Sequence, residues 1–95
     1  MKTKNIPLGP AANTPGDILL NEFLVPMGIS LRELARRMGC GPMRVSEIAR
    51  GKRSVTAESS ILLGRALGVS PAFFIGLQVD HDMAKAAIAM RRRAA

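Results

Sequence analysis

The sequence predicts an all-α fold of five or six short helices that includes a helix-turn-helix, and three observations predict it. Aromatic residues are scarce, with three Phe and no Tyr or Trp in a chain that is 47% hydrophobic. The core must therefore come from Leu, Ile, Val, Met and Ala, a set better suited to helices than to sheets. Helix punctuation recurs along the chain: Thr14, Ser30, Thr56 and Ser70 are start signals, and Gly28, Gly39, Gly51 and Gly68 are stops. Between them apolar residues return at helical spacing. The 95 residues suffice for one domain, above the size at which metals or disulfides are usually needed.

Residues 1–13, with Lys2, Lys4, Pro7, Gly9 and Pro10 and no periodicity, read as a flexible N-terminal tail. Thr14 caps the first helix, Pro15 takes its first position, and Asp17 suits the helix dipole in the first turn. Its buried side is Ile18, Leu19, Phe23 and Leu24; Pro26 and Gly28 close it, and Met27 and Ile29 are expected to pack under the next helix. Ser30, with Glu33 three residues later, forms a capping box that starts the second helix at Leu31. Leu34, Ala35 and Met38 line its apolar face, and Gly39 stops it in the left-handed conformation that glycine enters freely. Pro42 opens a third helix where its missing N–H costs nothing; Val45 and Ile48 face inward and Gly51 ends it. Leu31 to Arg53 is thus a helix-turn-helix, which presents its second helix to the DNA major groove.

Thr56 caps a fourth helix, with Glu58 in its first turn. Ile61, Leu62, Leu63, Ala66 and Leu67 cover more than one stripe of it, so one of them is expected at the surface, and Leu62 is the candidate. Ser70 and Pro71 start a fifth helix whose face of Phe73, Phe74 and Leu77 serves either as core or as a dimer contact. The candidate dimer or partner contacts are therefore Leu62, Phe73, Phe74 and Leu77. The alanine-rich segment 79–95 either extends the fifth helix or forms a short sixth. Arg91, Arg92 and Arg93 at its end suit the negative pole of a helix dipole. The expected organisation is a tail over 1–13, a DNA-binding domain over 14–78 and a helical extension over 79–95.

The net charge is +7, from 14 Lys and Arg against 7 Asp and Glu, and it is unevenly placed. Seven of the 14 basic residues fall between Leu31 and Arg53: Arg32, Arg36, Arg37, Arg44, Arg50, Lys52 and Arg53. A basic stripe coinciding with a helix-turn-helix is the electrostatic footprint of a DNA binder. Near the start of the reading helix, Arg44 suits guanine N7 and O6 or a phosphate, Met43 a thymine methyl, and Glu47 cytosine N4. Glu47 has an alternative, a salt bridge with Arg44 or Arg50. Lys52 and Arg53 are placed as phosphate contacts. The candidate DNA-contacting set is Arg32, Arg36, Pro42, Met43, Arg44, Ser46, Glu47, Arg50, Lys52 and Arg53.

Leu34-Ala35, Gly39, Val45, Ile48 and Gly51-Lys52 resemble the helix-turn-helix of phage-repressor-like (XRE) regulators. Thr14 to Leu20 before it (TPGDILL) and Val69 to Gln78 after it (VSPAFFIGLQ) resemble the HigA-type antitoxins of toxin–antitoxin pairs. The resemblance implies a lambda-repressor-like domain that binds operator DNA as a homodimer, represses its own operon and neutralises a partner RNase toxin. Leu31 and Pro42 depart from the broader repressor pattern, where polar residues such as Gln open both motif helices, so phosphates must be gripped by backbone N–H groups and arginines. Phe74 stands where such antitoxins usually carry Trp, and Gly76 where they carry Asn.

The alternative function is a stand-alone repressor without a toxin, and a third is a protein-interaction module that has lost DNA binding. No membrane span or secretory segment is read in the chain, and the single Cys40 fits a reducing cytoplasm. His81 lies between Asp80 and Asp82 but has no second His or spaced Cys to complete a metal site. No catalytic constellation and no phosphate-cradling loop is present, so neither an enzyme nor a cofactor is expected.

Overall fold

The computed structural model describes residues 14–94, and these form five helices without a strand. Helix α1 comprises α-helical Pro15–Ile18, a wide π-helical stretch Leu19–Leu24 and α-helical Val25–Met27. Helices α2 (Leu31–Met38) and α3 (Pro42–Ala49) make the helix-turn-helix, followed by α4 (Ala57–Leu67) and α5 (Phe73–Ala94). The tail expected over residues 1–13 lies outside the described residues.

Local chemistry accounts for the helix starts. At α1 the box is reciprocal: Thr14 Oγ1 accepts from the Asp17 N–H at 3.1 Å, and Asp17 Oδ2 accepts from the Thr14 N–H at 3.2 Å. Thr56 and Ser59 repeat the arrangement at α4, with the Thr56 N–H donating to Ser59 Oγ at 2.8 Å. The box expected at α2 is only half formed. Ser30 Oγ accepts from the Glu33 N–H at 3.0 Å, but the Glu33 carboxylate turns away to Arg36 and Arg37. Two guanidiniums offer charge-assisted bonds that a single backbone N–H cannot match.

The π-helical stretch in α1 has a local reason. Pro26 has no N–H, and in an α-helix its ring strikes the carbonyl of the residue four before it. The widened turns preceding it, in which the Val25 N–H reaches back to the Leu20 carbonyl, carry the chain through Pro26 to the left-handed Gly28. Pro26 therefore lies within α1, and Gly28 alone ends it.

Leu19, Leu24, Leu34, Ala35, Met38, Val45, Ile48, Val55, Leu63 and Phe74 form one buried cluster drawn from all five helices and the α3–α4 loop. The three phenylalanines join α1 to α5: the Phe23 ring centroid lies 5.9 Å from Phe73 and 5.4 Å from Phe74. Met27, expected beneath α2, is 44% exposed, whereas Ile29 packs on the core. The turn at Gly28 leaves Met27 on the outer side of the last α1 turn. The fifth helix does not break, and α5 runs through positions 78 and 79 to Ala94 as one rod. Its start is later than Ser70-Pro71 suggests, because Ser70 Oγ and carbonyl cap a turn through Ala72 and Phe73 before the helix begins. Ser60, fully buried in α4, anchors that turn by donating to the Pro71 carbonyl at 2.6 Å and accepting from the Ile75 N–H at 2.9 Å.

Glycine permits a close approach between α1 and α3. A Cβ on Gly16 would lie 2.5 Å from the Ala49 carbonyl oxygen and closer still to that of Ile48. The first turn of α1 thus rests directly on the last turn of α3, and this seat fixes α3 against α1.

Candidate nucleic-acid interface

The α2–α3 turn is built from backbone geometry. Gly39 is left-handed at φ 72°, and the Cys40 N–H closes the α2 terminus on the Ala35 carbonyl at 3.1 Å. Gly41, extended at φ −71° and ψ 146°, caps α3 without a side-chain bond, and Pro42 occupies the first helical position. Cys40 is half-buried against the core. Val45, Ile48 and Ala49 face inward from α3, and Met43, at 70% exposure, stands out from its start. Arg44, Ser46 and Glu47 are half-buried along the same helix, while Arg32, Arg36, Pro42, Arg50, Lys52 and Arg53 are exposed. The candidate residues of both motif helices therefore lie at the surface or its edge.

Three carboxylates hold four of these cations. Glu33 binds Arg36 (Nη2–Oε2 2.7 Å) and Arg37 (Nε–Oε2 3.0 Å) along α2. The bonds from Arg36 and then Arg37 hold the Glu33 carboxyl down at about 2, and the same pairing raises the Arg36 guanidinium. Glu47 pairs neither with Arg44 nor with Arg50 but with Arg53, whose Nε and Nη2 both reach Oε1, at 2.9 and 2.7 Å. The chain turns back after Gly51, carrying Arg53 alongside Glu47, as the Arg53 N–H donating to the Glu47 carbonyl at 3.2 Å records. Arg44 donates through Nη2 to Glu58 Oε1, at 3.3 Å, across to the first turn of α4. Among the described residues Arg32, Arg50 and Lys52 have no carboxylate partner.

The four contact candidates separate. Phe74 is fully enclosed and belongs to the core, so it has no surface to offer a partner. Leu62 and Leu77 are half-buried against that core, and Phe73 is 38% exposed. Of the apolar residues of α4, Ile61 reaches the surface at 39% exposed, whereas Leu62 packs half-buried on the core.

Sequence reading missed two polar residues that organise the site. Gln78, buried in α5, accepts from the Val55 N–H at 2.8 Å and donates to Asp82 Oδ1 at 3.0 Å, tying the loop after α3 to the C-terminal helix. Its signal was a lone amide on an otherwise apolar face. Glu58 was read only as a first-turn acid. Asp82 is thus engaged with Gln78, and among the described residues no group of three His, Cys, Asp or Glu side chains stands ready for a metal. His81 Nδ1 is buried without a hydrogen-bond partner, and His81 is one of the residues lining a cavity of about 80 Å³ between α1, the post-α3 loop and α5.

The Helix-turn-helix family model matches residues 20–74. Antitoxin HigA-1 of Vibrio cholerae is 39% identical over 82 residues, which are 86% of this chain and 72% of that protein. The chain belongs to the HigA-type helix-turn-helix family. Virulence-associated protein I of Dichelobacter nodosus is 36% identical over 69 residues, and the match spans 73% of this chain and 64% of that relative's length. The antitoxin HigA of Pseudomonas aeruginosa, solved with the higBA promoter, superposes with a TM-score of 0.80 at 34% identity over 86% of this chain and 89% of that one. The similarity covers α2, α3, the glycine turn between them and the scaffold that seats them.

Proposed function

We propose that the chain is a sequence-specific DNA-binding antitoxin that grips operator DNA with α3, represses its own operon as a homodimer and neutralises a partner RNase toxin. The observation that carries the DNA part is the basic surface of the helix-turn-helix, with Met43 exposed at the start of α3 and Arg32, Arg50 and Lys52 exposed along the motif, on a scaffold similar to an antitoxin solved with its promoter. Met43 and Arg44 take the base edges, and the exposed cations hold phosphates. A dimer supplies the second half-site of a two-fold operator. Family membership supports the toxin partner.

The test has two arms. Gel-shift titration against the DNA upstream of the coding sequence should show binding that survives competitor DNA and weakens steeply with salt. Co-expression with the product of the neighbouring gene should yield a stable complex and restore growth. DNA binding without a complex or toxicity would leave a stand-alone repressor. A complex without DNA binding would leave an interaction module.

A further inference from the structure

We infer that Glu58, which lies outside the helix-turn-helix, is a specificity-determining residue: it holds Arg44 over the base edges and away from the phosphate backbone. The inference rests on the proposed reading of DNA by α3.

The pair joins two helices and leaves most of the Arg44 fork open. Glu58 meets only Nη2 of Arg44, at 3.3 Å, so the Nε and Nη1 donors of the guanidinium remain outside that bond. A guanidinium has five N–H donors in a planar fork, and a grip on guanine N7 and O6 requires two of them. Arg44 therefore keeps its carboxylate and reads a base with the same planar group. Arg53, by contrast, spends both Nε and Nη2 on Glu47 and has to release them before it turns that edge to DNA.

Arg44 is well suited to being held. Its side chain is largely covered, at 29% exposed, whereas the Glu58 side chain is 75% exposed. The carboxylate sits in the first turn of α4, where the helix dipole favours a negative charge with or without Arg44. An exposed pair of this kind contributes little to folding. Its effect falls on binding. A phosphate contact by Arg44 leaves Glu58 uncovered beside the polyanion, and like charges so placed repel. A base contact keeps the pair closed. The carboxylate therefore weakens sequence-independent binding more than operator binding.

The test uses the whole chain and two duplexes, one selected by the wild type from a random pool and one of scrambled sequence, titrated by fluorescence anisotropy over a range of salt. Glu58→Gln should bind the scrambled duplex more tightly, with a salt slope steeper by about 0.9, one extra phosphate contact. Its preference for the selected duplex should fall about fivefold or more, the low end of what one base contact supplies. In an Arg44→Ala background the same change should tighten both duplexes alike, leave the preference unaltered and add no phosphate contact to the salt slope, which separates the pair from a general change of charge. Equal preference in wild type and Glu58→Gln, or a loss of preference that persists without Arg44, would overturn the role of Glu58 alone. A wild type that selects no sequence from the pool would overturn the DNA reading itself.

Discussion

The contact between Gly16 and the end of α3 makes a quantitative prediction. In Gly16→Ala the new methyl would stand 2.5 Å from the Ala49 carbonyl oxygen and nearer to that of Ile48, distances at which a Cβ cannot remain. Both obstacles are backbone, so no side-chain rotation relieves them. Overpacking of this kind costs about 1–3 kcal/mol, and a rigid neighbour places the cost near the upper end. Replacing a helical glycine with alanine returns up to about 1 kcal/mol through helix propensity. The net loss should be about 2 kcal/mol, which for a domain of this size lowers Tm by roughly 8–16 °C. Gly76→Ala is the control, because Gly76 lies within α5 with no atom within 4 Å of an added Cβ. It should stabilise by up to about 1 kcal/mol. Thermal unfolding followed by far-ultraviolet circular dichroism measures both. A Gly16→Ala protein as stable as the wild type, beside a Gly76→Ala protein that behaves as expected, would show that α1 does not seat the reading helix.

Ser60→Ala removes the partner of the Pro71 carbonyl and the Ile75 N–H and should cost about 1–3 kcal/mol, read as a lower urea midpoint with an unchanged slope. Glu33 is held down from 4.5 to about 2, so its pairing contributes above the ordinary value and is lost as pH falls toward 2. The stability difference between wild type and Glu33→Gln should therefore shrink across that interval and shrink further in salt; a difference independent of pH would refute the pairing. Arg44→Ala should cost about 1–3 kcal/mol on the selected operator, and unchanged affinity would remove it from the reading set. Lys52→Ala should weaken binding to all sequences alike and reduce the salt slope by about one, an effect absent if Lys52 touches no phosphate.

Much of this molecule is legible along the chain because helix boundaries are local chemistry. Ser30 and Gly39 bracket α2, Pro42 opens α3, and Thr56 and Gly68 bracket α4, each through bonds or backbone angles that involve residues at most a few positions away. The inward residues Leu34, Val45, Ile48 and Leu63 follow from helical spacing alone. The basic stripe is legible for the same reason, since it is a count along two short helices.

Tertiary structure decided what depends on where helices cross. Periodicity places Ile61 and Leu62 on neighbouring faces of α4, and only the packing of α4 into the core determines that Leu62 is covered and Ile61 is not. Phe73 and Phe74 are adjacent in sequence and both rings lie against Phe23 of α1, yet Phe74 is sealed in the core while Phe73 reaches the surface. The partners of the cations were decided in the same way. Arg53 meets Glu47 because the chain reverses after Gly51, and Arg44 meets Glu58 because α4 begins beside α3. Composition determined that the helix-turn-helix would be basic. Which of its arginines stand free and which are held is a property of distances between elements, and no pattern along the chain encodes those distances directly.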